Sequence, residues 1–114
     1  MQITLTRQDS IAVLSIAGSV DSLTADQLTE ALGEQLRAGH ARLVVDFCEV
    51  YYTSSAGLRS LLGTLKDCRR QGGDLRMAAV QPAVLRVLSL SGFASIIKLF
   101  DDVALAVASY QVSA

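Results

Sequence analysis

Hydrophobic residues along the chain follow two patterns that alternate from one end to the other. Short segments rich in Ile, Val, Leu and Phe predict strands, and the nearly continuous apolar segment RLVVDF is typical of a strand covered on both faces. The turn-forming segment RQDS separates the first two strands, and Gly18 ends the second. The predicted strands lie near residues 3–5, 11–16, 42–47, 75–80 and 96–100.

The segments between the later strands repeat apolar residues at helical spacing. In SLTADQLTEALGEQLRAG, the pattern predicts a helix with Thr24 as its N-cap and Gln27 in the capping-box position. Leu23 and Leu28 are expected to close a hydrophobic staple across the same turn. This first helix is therefore predicted to carry a complete N-terminal capping motif.

Three more helices follow from start and stop signals. The second is predicted to start at Ser55 or Ala56 and to stop at the glycine pair 72–73, after two arginines in its last turn. Pro82 opens the third, Gly92 ends it, and Asp101 is expected to cap the fourth. The order ββαβαβαβα predicts one α/β domain over residues 1–114, with a mixed, mainly parallel sheet flanked by helices.

Composition narrows the range of partners. Hydrophobic residues make up 51% of the chain and charged residues 18%, against a usual charged share of about 25%. Either a partner-binding face or the high alanine content explains this equally well. The net charge of -1, without a Lys or Arg run beyond Arg69-Arg70, disfavours nucleic acid. Neither a membrane-length apolar segment nor a signal sequence is present, so we expect a cytoplasmic protein.

Cysteine and histidine offer little chemistry. Cys48 and Cys68 match no metal or redox spacing, and both are interpreted as reduced core thiols. His40 is the only histidine and is expected at the surface, so no metal site and no cofactor are predicted.

The turn YYTSSAG places three hydroxyls, on Thr53, Ser54 and Ser55, where a strand meets a helix N-terminus. The plainest interpretation is that one of them caps the helix. Nucleophilic catalysis is disfavoured because the chain lacks G-x-S-x-G and has only His40 as an imidazole base. A third interpretation is regulatory phosphorylation, since free N–H groups and the helix dipole favour an anion there.

Several motifs, in order, resemble one known family. These are GSVDSLTADQL after the second strand, the strand aspartate Asp46, the serine turn before GL, the Gly-Gly pair, and VLRVLSLSG. Together they resemble the STAS domain family, and within it the stand-alone bacterial anti-sigma factor antagonists, over essentially the whole chain.

The resemblance implies which serine is modified. In that family the turn is commonly Asp-Ser-Ser-Gly-Leu, and its first serine is phosphorylated by a serine kinase that is also the anti-sigma factor. An ungapped match places Ser55 on this serine, Ala56 on the next one and Gly57 on the glycine. Ser54 replaces the family's aspartate and is the second choice for phosphorylation.

The resemblance also implies partner switching without enzyme activity. The unphosphorylated form would bind the anti-sigma factor kinase, phosphorylation would release it, and a serine phosphatase would reset the switch. The alternative is an interaction module of a phospholipid-transport or stressosome-type complex. Asp46 is expected to have a structural role, and three leucines of the third helix, Leu85, Leu88 and Leu90, could add an apolar contact. The expected partner-binding residues are Asp21, Thr24, Thr53, Ser54, Ser55, Ala56, Gly57 and Arg59.

Overall fold

The computed structural model describes residues 1–111 of the chain. The element order is that predicted from the sequence, with one added 3-10 turn, Phe93–Ser95. The strands are β1 Gln2–Gln8, β2 Ile11–Ala17, β3 Arg42–Glu49, β4 Asp74–Ala78 and β5 Lys98–Phe100. The helices are α1 Ala25–Arg37, α2 Ser55–Arg70, α3 Pro82–Leu90 and α4 Val103–Gln111.

The five strands form one sheet in the order in which they occur in the chain. β1 pairs antiparallel with β2, and every later neighbour is parallel. This confirms the predicted mixed, mainly parallel sheet. Because a parallel connection crosses over with a right hand, successive crossovers that move in one direction leave their helices on the same face of the sheet.

The two faces of the sheet are covered unequally. α1, α2 and α3 cover one face, over a large core that includes Leu43, Val45 and Phe47 from alternate positions of β3. α4 alone covers the other face, where Val44 belongs to a smaller core that includes Tyr110. Alternation within β3 therefore supplies both cores from one strand, as its continuously apolar sequence predicted.

The N-terminal caps of α1 and α4 differ from the prediction. Thr24 occupies the N-cap position of α1, as predicted, but its side chain makes no cap bond. Gln27 donates to the Met1 carbonyl instead, and Leu23 is 90% exposed. The predicted capping box and staple are therefore wrong, because Asp21 organises this turn. At α4, Asp102 and not Asp101 accepts the Leu105 N–H, at 2.8 Å.

One other expectation about burial needs correction. Cys68 is buried, as expected, but Cys48, near the end of β3, is exposed. On α3, Leu88 is fully buried in the core, whereas Leu85 and Leu90 are exposed, so an apolar contact with a partner stays a prediction for these two. Within residues 1–111, no helix is long and apolar enough to cross a membrane.

Candidate functional site

The hydroxyl turn lies where two loops meet at the carboxyl ends of β2 and β3. The Val20 N–H donates to the Tyr52 carbonyl at 3.0 Å, and the Ser54 N–H donates to the Val20 carbonyl at 2.8 Å. Val20 and Thr53 thus form an isolated parallel bridge beyond the ends of the strands. These bonds fix the start of α2 against the loop that leads into α1.

Gly57 allows the helix to approach this loop closely. A Cβ atom built on Gly57 would lie 2.6 Å from Val20 Cγ1 and 2.7 Å from Thr53 Oγ1. Real Cβ atoms do not come that near to other heavy atoms, so only glycine fits without a local shift. The Ala-Gly step of the turn is therefore a packing requirement.

The three hydroxyls of the turn have different surroundings. Thr53 is only 3% exposed and supports the turn from inside. Ser54 is half-buried and caps α2, with its Oγ accepting the Gly57 N–H at 3.3 Å. Ser55, the first residue of the helix, is exposed, and its hydroxyl makes no hydrogen bond with the residues that the structure describes.

Two backbone N–H groups without an acceptor lie in the helical turn that carries the exposed Ser55 hydroxyl. Over residues 1–111, the N–H groups of Ser55 and Ala56 have no hydrogen-bond acceptor, as expected for the first turn of a helix. The N-terminal end of the helix also carries a partial positive charge. The surroundings of Ser55 are therefore compatible with a negative group on its side chain.

Asp21 and Thr24 shape the neighbouring loop. Asp21 Oδ1 accepts the N–H groups of Leu23 at 2.9 Å and Thr24 at 3.1 Å. The Thr24 hydroxyl accepts the Asp21 N–H at 2.9 Å and donates to the Ser19 carbonyl at 2.9 Å. Both side chains therefore stabilise the turn through hydrogen bonds. Their contact with a partner stays a prediction.

Asp46 also has a structural role, in the interior of β3 and not at its end. Its Oδ1 accepts the Cys48 N–H at 3.0 Å, and its Oδ2 accepts the Ser15 hydroxyl at 3.2 Å. The carboxylate therefore links β3 to β2 just below the two loops.

A shallow groove runs from Ser55 along α2. Leu58 and Leu62 line it on α2, Phe93 and Ile96 line it on the segment after α3, and its volume is about 240 Å³. Arg59, one helical turn after Ser55, borders the same groove and makes no ion pair within residues 1–111. The site thus combines a hydroxyl, an apolar surface and one available cation.

Three exposed apolar side chains beside this turn were not predicted from the sequence as part of the site. Tyr51 is 68% exposed, Tyr52 is 55% exposed, and Leu23 extends fully into solvent from the facing loop. Both tyrosines follow β3, which ends at Glu49. Their position directly before the turn residues was the available signal, because aromatic side chains there have no core to enter.

Among residues 1–111, neither the single histidine nor a cluster of metal-ligating side chains lies at the turn. His40 contacts Arg7, with 2.7 Å between Nε2 and Nη1. It precedes β3, whereas Ser55 follows it, so the two residues lie at opposite ends of this strand. In the described part of the chain, no three His, Cys, Asp or Glu side chains converge as metal ligands would.

Comparison with known proteins gives a consistent result. The STAS domain model matches residues 2–106. A Bordetella bronchiseptica protein, BtrV, whose name marks it as a candidate anti-sigma factor antagonist, is 33% identical over 113 residues, covering 99% of this chain and 97% of BtrV. The anti-sigma-B factor antagonist of Bacillus subtilis is 32% identical over 84 residues, or 74% of this chain and 76% of that protein.

Solved structures agree with these matches. The crystal structure of an anti-sigma factor antagonist from Mycobacterium paratuberculosis superposes with a TM-score of 0.86 at 26% identity, covering 95% of this chain and 92% of that one. The family model matches nearly the whole chain and these relatives cover most of it, so the chain belongs to the STAS domain family.

Proposed function

We propose that this protein is an anti-sigma factor antagonist that acts by partner switching. Unphosphorylated, it binds an anti-sigma factor that is also a serine kinase, and phosphorylation of Ser55 by that kinase ends the binding. A serine phosphatase restores the binding form. The observation that carries the proposal is the exposed, unbonded Ser55 hydroxyl at the start of α2, in a chain whose relatives are named anti-sigma factor antagonists.

The choice of Ser55 over Ser54 rests on their hydrogen bonds. Ser54 Oγ already accepts the Gly57 N–H, so a kinase would have to break the cap of α2 to use it. Ser55 Oγ can be modified without the loss of any bond within residues 1–111, and the adjacent free N–H groups favour the resulting anion. A kinase that binds this surface therefore reaches Ser55 at lower conformational cost.

The proposed partner surface surrounds Ser55. It comprises the first turn of α2, Arg59, the groove beside Leu58, and the loop shaped by Asp21 and Thr24. The exposed tyrosines beside the turn add a large apolar area to this surface. Tyrosine is one of the residue types enriched in protein interfaces.

The switch then follows from charge alone. A phosphate adds about -1.5 to -2 charge to a surface that loses water on binding. Leaving such a charge buried and unpaired costs about 3 to 5 kcal/mol, which corresponds to binding weakened by about a hundredfold to several thousandfold. No refolding of the domain is needed, because the helix N-terminus can accommodate the phosphate in the free protein.

The test compares immobilised wild-type protein with a form that carries phosphoserine at position 55, installed during translation. Each is exposed to lysate of the source cells, and the retained proteins are identified by mass spectrometry. We expect a protein with a serine kinase domain on the wild type that is lost from the phosphoserine form. With ATP, the purified kinase should then modify wild-type protein at Ser55 and leave Ser55→Ala unmodified.

Phosphoserine at Ser10 is the matched control. Ser10 is exposed in the turn between β1 and β2, so it adds the same charge away from α2 and should leave kinase binding intact. Equal loss from both phosphorylated forms would refute a local switch at Ser55. Retention of the same transporter or scaffold components by every form would instead identify a structural interaction module.

A further inference from the structure

A cluster of positively charged side chains lies at the amino ends of the parallel strands, on the face covered by α4. Arg42, Arg76 and Lys98 lie on the three neighbouring strands β3, β4 and β5 and line one concavity of about 340 Å³. We call these three residues the basic pocket.

Arg76 is held rigidly at the centre of the basic pocket. Its guanidinium stacks on the Tyr110 ring with 3.9 Å between Cζ and the ring centroid. Its Nη1 donates to Ser109 Oγ at 2.6 Å and its Nε to Asp74 Oδ2 at 3.1 Å, and its side chain is only 12% exposed. A guanidinium fixed in this way loses little conformational entropy when it binds an anion.

Asp74, the only acid among the described residues that line the concavity, already has two ion-pair partners. Its Oδ2 accepts from Arg76 and its Oδ1 from Arg69, at 3.1 Å each. Arg42 and Lys98 make no ion pair with any residue from 1 to 111. Within residues 1–111, the basic pocket therefore keeps a net positive charge after its ion pairs are counted.

The strand register places like charges beside each other. Lys98 is the direct neighbour of Arg76, and Arg42 lies diagonally from it, since Arg42 pairs with Asp74 and Val44 with Arg76. Like charges at such positions destabilise a sheet. Asp74 offsets part of this repulsion through its ion pair with Arg76. An anion bound near Arg42 and Lys98, which have no ion pair within residues 1–111, would remove more of it.

We propose that the basic pocket binds a small phosphate-bearing anion. A planar guanidinium matches two oxygens of a phosphate group, and a lysine adds a mobile point charge. The volume lies near the lower end of the range for small-ligand sites, roughly 300 to 1,000 Å³, and a concave site favours a compact anion over an extended polymer. The inference does not depend on the proposed function, because the hydroxyl turn lies at the opposite edge of the sheet.

The test uses pyrophosphate as the probe, titrated into ¹⁵N-labelled full-length protein at constant ionic strength. We expect saturable shifts of the amide signals of Gly72, Gly73 and Lys98, with smaller changes at Ser55. Arg42→Gln and Lys98→Gln should each raise the Kd about tenfold, which is the effect of losing one charge-assisted contact. Arg76 is left unchanged because its removal would leave Asp74 with one partner.

Lys66→Gln and Arg86→Gln are matched controls, since both remove an exposed positive charge elsewhere and should change the Kd less than about twofold. Glycerol phosphate and inorganic phosphate determine whether a monophosphate suffices, and hexaglutamate tests for an acidic peptide. The proposal fails if no signal saturates by about 10 mM pyrophosphate, or if the controls weaken binding equally. Tighter saturation by hexaglutamate would also overturn it, in favour of a protein partner.

Discussion

Gly57 of α2 lies directly against Val20 of the loop before α1, and the contact leaves no space for a side chain at position 57. A built Cβ would approach Val20 Cγ1 to 2.6 Å. The two residues therefore fix the distance between the loops that form the candidate site, and Ser54 and Ser55 take their positions from it.

Gly57→Ala should destabilise the protein by about 1 to 3 kcal/mol, because the new methyl group overpacks a buried contact. Gly63→Ala is the matched control within the same helix, since a Cβ there meets nothing within 4 Å. It should stabilise the protein by about 0.5 to 1 kcal/mol through helix propensity. Urea unfolding of both variants measures the difference, and a shift of the same sign in both would contradict the packing argument.

Much of the fold could be predicted because it depends on local periodicity. The alternation of strands and helices, the buried character of β3 and the start of α3 at Pro82 were all correct. The capping box at the start of α1 and the cap at Asp101 were wrong, because several polar residues in each turn could supply the same bond. Only the three-dimensional path of the turn decides which of them does.

For the candidate site, the sequence predicts the start of a helix and three hydroxyls beside it. Assigning a separate role to each hydroxyl needed the bridge between Val20 and Thr53, which joins residues distant in sequence. The basic pocket could not be found in this way, since Arg42, Arg76 and Lys98 come from three strands whose register is not encoded locally.

Ser54→Ala and Ser55→Ala should differ in stability although the residues are adjacent. Loss of the Ser54 cap should cost about 1 kcal/mol, because the Gly57 N–H loses its acceptor. Ser55→Ala should change the free energy of unfolding by less than about 0.5 kcal/mol, since this exposed hydroxyl makes no bond within the described chain. Thermal unfolding measures both variants, and equal losses would show that the two serines share the capping role.

Stability should fall in alkaline solution because of two buried acids. Burial, then Asp74, raises the pKa of the Cys68 thiol to about 12, and the same two causes raise the pKa of Tyr110. The unfolded chain releases these protons first, so the folded state binds more protons and the free energy of unfolding decreases as pH rises above about 8.5. Each group contributes at most about 1.4 kcal/mol per pH unit.

Urea unfolding from pH 8 to 11 measures this slope. Cys68→Ala should be less stable at pH 8 but should lose less stability between pH 8 and 11 than the wild type. Cys48→Ala, which removes an exposed thiol, should keep most of the wild-type slope. If the slope is the same in Cys68→Ala as in the wild type, the buried thiol does not titrate as described.

Phosphorylation of Ser55 should leave the free protein folded and slightly more stable. The phosphate would lie at the N-terminus of α2, beside the unpaired Ser55 and Ala56 N–H groups, and within one turn of Arg59. Helix-dipole and Arg interactions of this kind contribute about 0.3 to 1 kcal/mol each at exposed positions. Differential scanning calorimetry of the phosphoserine-55 protein should show a Tm equal to or above that of the wild type.

Arg59→Gln should remove part of the gain in Tm while leaving the unphosphorylated Tm unchanged, and Lys66→Gln should leave the gain intact. A clear fall in Tm on phosphorylation would mean that release of a partner involves unfolding of α2, and the purely electrostatic switch would then be wrong.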